Sequence, residues 1–230
     1  AHPAVSSGSD PSLSAQEPAS GPADPTSPSG SDPSPAVQDP AAEPLPDPAG
    51  RALIDQLRPV FLSIEGRASK VYWDAVQWLT EGKVAFEGRE HRGATDPVNV
   101  MLNYGYGMLY SQIWTAVLLA GLEPFAGFLH VDRPGKPSLV LDLIEEFRQH
   151  VVDRAVIAAV NKGFTVDLAE GKLTDESRRA LAEKILERLE ARELFEGQRL
   201  ALRAIIQRQA RRLASYLRGE GAYRPFVGGW

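Results

Sequence analysis

The sequence predicts an all-α fold: a multi-helix domain with an apolar central helix, preceded by a disordered Pro-rich segment. Apolar residues recur at helical spacing along most of residues 51–230. Residues 101–122 form an uncharged run that can serve as a core helix, apolar on every face. Residues 1–50 instead hold 12 of the 18 prolines and neither lysine nor arginine. The predicted boundary between linker and helical domain therefore lies near residue 50.

The first 50 residues have the composition of an acidic linker. They contain seven acids and almost no large apolar side chain, so the segment cannot bury enough surface to offset the entropy of ordering it. We interpret it as a disordered linker rich in Pro, Ser and Asp, with polyproline tendency. A glycosylated, secreted stalk is the alternative. The chain also begins without methionine and inside this linker, which is typical of a piece cut from a longer protein.

The negative charge of the chain is concentrated in the linker. The full sequence has a net charge of −5, whereas residues 51–230 carry 25 basic and 23 acidic side chains. A region of this length is sufficient for one sizeable core. The absence of cysteine excludes disulfides and zinc–thiolate sites, and it fits a reducing compartment. We therefore expect a cytoplasmic protein.

Two helices are predicted in the first part of the domain. The first follows Pro59, where the apolar residues of 60–79 recur at helical spacing, and a glycine-containing loop comes after it. Asp96 and Pro97 mark the next start, as N-cap and first helical residue. This second helix contains the apolar run and ends near Gly121.

The same apolar run is long enough to span a bilayer. Polar side chains punctuate it, two glycines interrupt it, and its flanks lack the basic asymmetry that orients a span. We therefore expect a core helix and no membrane association. A membrane-anchored helical protein is the weaker alternative.

The second part of the domain is predicted to be helical with one hairpin. A helix opens at Ser138 and runs towards Val160. Residues 164–166 are interpreted as one edge of a hairpin that turns at Gly171. The remaining predicted elements are a connector or short helix over 124–130, a helix that starts at Thr174 and a helix over 198–217.

Three side chains in this framework are candidate ligands of a divalent metal: Glu65, His130 and Glu145. Two carboxylates and one histidine form an oxygen-rich donor set, which suits magnesium or manganese better than zinc. Asp142 precedes Glu145 by three residues, so both carboxylates lie on one side of a helix, where a cation would relieve their repulsion. From spacing alone, a hydrogen-bonded core histidine and a solvated acidic helix face remain open as alternatives.

Several short blocks of sequence surround these positions in a fixed order. They are Ile64-Glu65-Gly66, Asp96-Pro97-Val98-Asn99, Leu102-Asn103-Tyr104-Gly105-Tyr106, Gly127-Phe128-Leu129-His130 and Leu141-Asp142-Leu143-Ile144-Glu145-Glu146-Phe147-Arg148. Together with a basic last helix, they resemble the first-numbered Cas protein family, the CRISPR-associated integrase that inserts new spacers. The resemblance is to the C-terminal helical catalytic domain of that family and covers roughly residues 55–230.

The resemblance implies a divalent-metal-dependent DNA endonuclease and integrase. Its catalytic and metal-binding residues would be Glu65, His130 and Glu145, with Asp142 as a secondary metal ligand and Mg²⁺ or Mn²⁺ as the cofactor. The implied reaction joins the 3′-hydroxyl of a new spacer fragment to the repeat by phosphodiester transesterification. Water as the nucleophile would give nicking instead.

The resemblance also implies binding partners. These are DNA, as spacer precursor and CRISPR repeat, a second copy in a homodimer, and a second CRISPR adaptation protein. Family members carry an N-terminal β-domain that mediates dimerisation, whereas a Pro-rich stretch stands in its place here. Such a linker would suit a fusion to a reverse transcriptase or another N-terminal module.

DNA binding requires a cationic surface, and the last predicted helix with its flank is rich in arginine. This composition favours phosphate contacts over a merely solvated face. Arg89 lies in the loop before the second helix, and Asn99 and Tyr104 lie in the family blocks, so these three are further candidate strand contacts. The alternative function is a non-catalytic helical module that binds DNA or a partner protein. The candidates in the arginine-rich region are Arg199, Arg203, Arg208, Arg211 and Arg212.

Overall fold

The computed structural model of the chain describes residues 48–90, 93–130 and 134–229, and for residues 48–52 the backbone only. The predicted disordered linker, 1–50, lies outside the described residues except for its last three positions. The described part is mostly helical, with two short hairpins, so the all-α prediction is correct only in outline. The elements are α1 Pro48–Thr80, α2 Pro97–Leu119, α3 Ser138–Phe147, a π-helix Arg148–Asp153, α4 Arg154–Asn161, β1 Leu168–Ala169, β2 Lys172–Leu173, α5 Asp175–Glu190, β3 Arg192–Phe195, β4 Gln198–Ala201 and α6 Leu202–Leu217.

Helix α1 is longer than predicted. It begins at Pro48, and Pro59, the predicted start, lies inside it. The proline ring removes the N–H that would bond to the carbonyl of Asp55. Because this part of α1 is exposed, solvent can hydrate the freed carbonyl. A proline on an exposed helix is therefore a weaker boundary than the sequence rule assumes.

Helix α2 begins as predicted. The side chain of Asp96 accepts a hydrogen bond from the backbone N–H of Asn99 at 2.9 Å, and Pro97 is the first helical residue. The helix ends at Leu119, and Gly121 follows with a φ of +72°, a left-handed conformation that suits glycine. Within the described residues, no helix combines the length and the apolar character needed to cross a membrane.

The predicted helix from residue 138 to residue 160 is interrupted by the π-helix. Here α2 approaches very closely: a Cβ on Gly105 would lie 2.6 Å from Cγ1 of Val152, so the contact requires glycine. A π-helix makes i to i+5 hydrogen bonds and changes which side chains share a face, and it is frequent at functional sites. As a result Arg148 and Asp153, five residues apart, line the same cleft.

The two hairpins have the same turn. Glu170 and Gly171 join β1 to β2, and Glu196 and Gly197 join β3 to β4, with positive φ at all four residues, as in a type I′ turn. The predicted turn at Gly171 is confirmed, although the strands lie nearer to it than 164–166. The second hairpin was missed, because residues 198–201 were assigned to the last helix. The predicted start of α5 is confirmed by Thr174, whose hydroxyl accepts from the N–H of Ser177.

The hydrophobic core lies between α2 and the helices that follow it. Helix α2 packs against α3, the π-helix, α5 and α6. Phe147 is completely buried, and its ring stacks on Phe226 with 5.4 Å between ring centroids. The C-terminal segment is thereby attached to α3, and the backbone N–H of Gly228 adds a hydrogen bond to Nε2 of His150 at 3.2 Å.

Candidate metal centre and nucleic-acid interface

The three predicted metal ligands face one cleft of about 310 Å³. Glu65 comes from α1, His130 from the loop before α3, and Glu145 from α3 itself. Three separate parts of the chain thus bring two carboxylates and an imidazole to the same space. The other residues that line the cleft are Ala68, Ser69, Tyr72, Trp73, Tyr106, Arg148, Gln149 and Asp153.

The orientation of His130 is set by Asp142. Nδ1 of His130 lies 2.7 Å from Oδ1 of Asp142, and the same carboxylate accepts backbone N–H groups of Phe128, Leu129 and His130 at 2.5 to 3.0 Å. Because a carboxylate can only accept, Nδ1 carries the proton and Nε2 is the nitrogen left to bind a cation. A carboxylate behind the imidazole is the usual support of a metal-binding histidine.

The loop that carries His130 is fixed against the start of α3. The hydroxyl of Ser138 accepts from the N–H of Gly127 at 2.9 Å and donates to the carbonyl of Phe125 at 2.6 Å. A Cβ on Gly127 would lie 2.6 Å from the backbone of Ser138, so only glycine allows this approach. The Gly-Phe-Leu-His block therefore has a steric reason for its glycine.

Glu145 on α3 is paired with Arg148, the first residue of the π-helix. Nη1 of Arg148 donates to Oε1 of Glu145 at 2.7 Å, and the Arg148 guanidinium lies 4.3 Å from the ring centroid of Tyr106. This ion pair is partly exposed, so it contributes little to stability. It nevertheless places a positive charge beside one of the candidate ligands, where a bound cation would compete with it.

Asp153 lies at the bottom of the cleft, with 1 % of its surface exposed. Its carboxylate accepts the hydroxyl of Tyr72 at 2.8 Å and the hydroxyl of Tyr106. Burial raises the pKa of the Asp153 carboxyl above its usual range, although both tyrosine hydroxyls oppose that shift. The pKa values of Tyr72 and Tyr106 are raised, mainly by burial and to a smaller extent by the charge of Asp153. Both hydroxyls therefore remain protonated donors.

The donor set fits a hard divalent cation, but the donors are not gathered around a point. Among residues 48–90, 93–130 and 134–229, no three His, Asp or Glu side chains lie close enough together to hold an ion. Glu65 and Glu145 supply oxygen, His130 supplies nitrogen, and all three reach the same cleft. Asp142, the secondary candidate, lies behind His130, with its oxygens occupied by the loop. Its geometry is that of a residue that orients a ligand.

Of the candidate DNA contacts near α2, only Arg89 offers a charge. Nη1 and Nη2 of Arg89 donate to the side-chain oxygens of Asn99 and Asn103 at 2.9 and 2.6 Å. Asn99 is 1 % exposed, and its amide also bonds the backbone of Gly88, so it positions Arg89 and cannot itself reach a DNA strand. Tyr104 is half-buried against the core. None of the ion pairs between described residues involves Arg89.

The five candidate arginines of the arginine-rich region, which lie on β4 and α6, divide into two groups. Arg203 is paired with Glu190, and Arg212 with Glu196. No ion pair of the described residues involves the other three, which are all exposed. These three cations are therefore the ones available for phosphate groups. They are Arg199 on β4, and Arg208 and Arg211 on α6.

Sequence reasoning missed the buried part of the cleft. Tyr72, Tyr106 and Asp153 were not among the predicted site residues. The seven-residue interval between Glu65 and Tyr72 places both on one face of α1, a signal that was present in the sequence. The partnership of both tyrosines with Asp153 depends on the π-helix, for which the sequence offers no comparable signal.

The chain belongs to the Cas1 family. The family described as CRISPR associated protein Cas1 matches residues 48–187. The CRISPR-associated endonuclease Cas1 1 of Archaeoglobus fulgidus is 43 % identical over 190 residues, which cover 77 % of this chain and 55 % of that protein. The chain thus spans about half the length of the curated relatives it matches.

Solved structures support the same fold. A casposase bound to integration product is 28 % identical to this chain, with a TM-score of 0.68, over 73 % of this chain and 50 % of that one. A chain of a Cas6-RT-Cas1–Cas2 complex is 22 % identical, with a TM-score of 0.61, over 75 % of this chain and 20 % of that one. At that identity the second likeness shows the fold alone.

Proposed function

We propose that this chain contains the catalytic region of a divalent-metal-dependent DNA integrase and endonuclease of CRISPR adaptation. The observation that carries the proposal is that Glu65, His130 and Glu145, distant in sequence, line one cleft. Membership of a family whose relatives are named as endonucleases supports it. The likeness to a casposase bound to integration product supports an integrase activity in particular.

The proposed reaction joins the 3′-hydroxyl of a new spacer fragment to the repeat by phosphodiester transesterification. Bound Mg²⁺ or Mn²⁺ would stabilise charge at phosphorus and activate the attacking hydroxyl. Three residues of the chain would hold the cation. His130 would bind it through Nε2, with its ring fixed by Asp142, and Glu65 and Glu145 would bind it through carboxylate oxygens. Arg148 forms an ion pair with Glu145, and its guanidinium would be available to a phosphate oxygen if Glu145 bound the cation.

We propose DNA as the substrate. Its phosphates would contact Arg199, Arg208 and Arg211, the exposed arginines outside the ion pairs of the described residues, and Arg89. Homodimerisation, assembly with a second adaptation protein and a cytoplasmic location are further proposals for the whole protein. The second adaptation protein and a fusion to a reverse transcriptase are proposed from the sequence resemblance and the Pro-rich linker, since the likeness to a chain of a Cas6-RT-Cas1–Cas2 complex shows only a shared fold. Each of these concerns regions or partners beyond the described residues.

The direct test is strand transfer and nicking on branched and supercoiled DNA with Mg²⁺ or Mn²⁺, with the second adaptation protein present. We expect metal-dependent product from the unaltered chain and a loss of about 100-fold or more in His130→Ala and in Glu145→Gln. Glu183→Gln is the matched control, because Glu183 is an exposed carboxylate on α5. DNA binding without product, indifferent to metal and to His130→Ala, would instead favour the non-catalytic binding module.

A further inference from the structure

Most of the N-terminal half of α1 is surrounded by solvent. Between residues 53 and 71, Arg58 is the one residue that is not exposed. Large apolar side chains are among the exposed ones, including Leu57, Val60 and Ile64. Between residues 53 and 80 of α1, the buried residues are Val76 and Thr80, near its C-terminal end. Among the described residues, the part of α1 that carries Glu65 therefore has almost no core packing to hold it in place.

Among the described residues, two hydrogen bonds attach α1 to the cleft on either side of Glu65. Nη2 of Arg58 donates to the carbonyl of Phe128, in the loop that carries His130, at 3.1 Å. The hydroxyl of Tyr72 donates to the buried carboxylate of Asp153 at 2.8 Å. One attachment thus reaches the element of the histidine ligand, and the other reaches the π-helix that follows Glu145.

Glu65 lies midway between these attachments. Arg58, Glu65 and Tyr72 are seven residues apart, so they share one face of α1, with about 10 Å of helix between neighbours. Rotation of α1 about its axis, or tilting of α1 away from the cleft, would displace the Glu65 carboxylate. The two hydrogen bonds oppose both motions. His130 and Glu145 do not depend on such attachments. Asp142 fixes the loop of His130, and Glu145 lies on the well-packed α3.

We propose that Arg58 and Tyr72 are positioning residues for Glu65, and that their hydrogen bonds to Phe128 and Asp153 hold its carboxylate where it completes the metal site. The inference rests on the proposed function, since it takes Glu65 as a ligand. In this arrangement His130 and Glu145 are held by the packed α3 and its preceding loop, whereas Glu65 is held by the attachments of α1. Loss of either attachment weakens metal binding without removing a ligand.

Tyr72→Phe and Arg58→Met test the proposal through Mn²⁺ affinity, measured by titration of the metal alone. We expect the Kd of each variant to rise by about 10-fold, as is usual when a residue that supports a metal ligand is lost. For Arg58→Met, the direction of the change in Kd distinguishes positioning from electrostatics, because removing a positive charge near a cation site would by itself lower the Kd for Mn²⁺. Arg58→Lys, which keeps a donor, should recover part of the affinity.

Matched controls separate positioning from general damage. Tyr223→Phe removes a tyrosine hydroxyl that bonds to Glu146, which does not line the cleft. Arg67→Met removes an arginine on the opposite face of α1, whose guanidinium bonds, within the described part of the chain, only to the Ser63 hydroxyl at 3.5 Å. Neither control is expected to weaken Mn²⁺ binding.

Amide hydrogen exchange of the metal-free protein gives a second, independent result. We expect faster exchange across residues 59–71 in Tyr72→Phe and Arg58→Met, with α2 unchanged as the internal reference for folding. If Glu65→Gln weakens Mn²⁺ binding while both positioning variants keep normal affinity and normal exchange, the inference is overturned. If Glu65→Gln leaves the affinity unchanged, the proposed metal site itself fails, and the claim that Glu65 is positioned as a ligand fails with it.

Discussion

The two sides of the cleft are built in different ways. The side formed by α3 and its preceding loop rests on buried residues: Phe147 is completely buried, and Asp142 accepts three backbone N–H groups and His130. The side formed by α1 is exposed and is attached through Arg58 and Tyr72. A replacement on the first side should therefore affect both stability and chemistry, whereas a replacement on the second side should affect chemistry almost alone.

The largest contrast is expected in the free energy of unfolding. Phe147→Ala opens a cavity in the core and should cost about 3–5 kcal/mol. Leu53→Ala, on the exposed part of α1, should change stability by no more than about 0.5 kcal/mol. Urea unfolding of both variants measures the contrast. Equal losses would show that the protein in solution buries this part of α1, contrary to the exposed position of Leu53 in the structure.

A smaller loss is expected when the support of His130 is removed. Asp142→Ala deprives three backbone N–H groups and Nδ1 of His130 of their acceptor, which should cost about 2 kcal/mol after partial hydration of the loop. It should also raise the Kd for Mn²⁺ by about 10-fold. Glu183→Ala is the control for loss of a carboxylate. An unchanged Kd would mean that Asp142 does not orient the imidazole.

Acid should weaken the packed side through His150. Burial, and after it the charge of Arg188, lowers the pKa of His150, whose Nε2 accepts from Gly228. The unfolded state therefore binds more protons just below the ordinary histidine value of about 6.5, and stability falls as the pH drops through that region.

The test compares His150→Gln with the unaltered chain, since glutamine keeps an acceptor but does not titrate. The variant should lose less stability between about pH 7.5 and about pH 5.5 than the unaltered chain does. Equal losses in the two proteins would assign the acid sensitivity to other groups.

The smallest effect on stability is expected at the exposed arginines. Replacing Arg208 and Arg211 together by glutamine should change the free energy of unfolding by no more than about 0.5 kcal/mol. Because each phosphate contact contributes about 0.9 to the dependence of log K on log salt, the double variant should lower that slope by about 2. Arg178→Gln, which removes an arginine paired with Asp175, is the control. An unchanged slope would exclude this surface from DNA binding.

Local signals in the sequence predicted the framework well. Asp96 followed by Pro97 identified the start of α2, and Thr174 identified the start of α5, because a cap is a short-range interaction between neighbours in sequence. The second hairpin was missed although Glu196-Gly197 has the same turn residues as Glu170-Gly171. Residues 198–201 were assigned to the last helix, because an arginine-rich segment is compatible with both an exposed strand and a helix, and its composition does not distinguish them.

The candidate site was predictable as a set of donors but not as an arrangement. Residue chemistry and the resemblance selected Glu65, His130 and Glu145, which the fold brings to one cleft. The interval between Asp142 and Glu145 placed both on one side of a helix, yet it could not show that a loop folds over Asp142. Asp153 likewise depends on long-range packing through the π-helix.

The most direct test of the metal site is anomalous diffraction from crystals of the protein soaked in Mn²⁺. We expect a single manganese peak bonded to a Glu65 oxygen, Nε2 of His130 and a Glu145 oxygen at about 2.1 Å, with Arg148 displaced from Glu145. A peak that lacks any one of these three ligands, or no peak in the cleft at millimolar Mn²⁺, would contradict the proposed metal site.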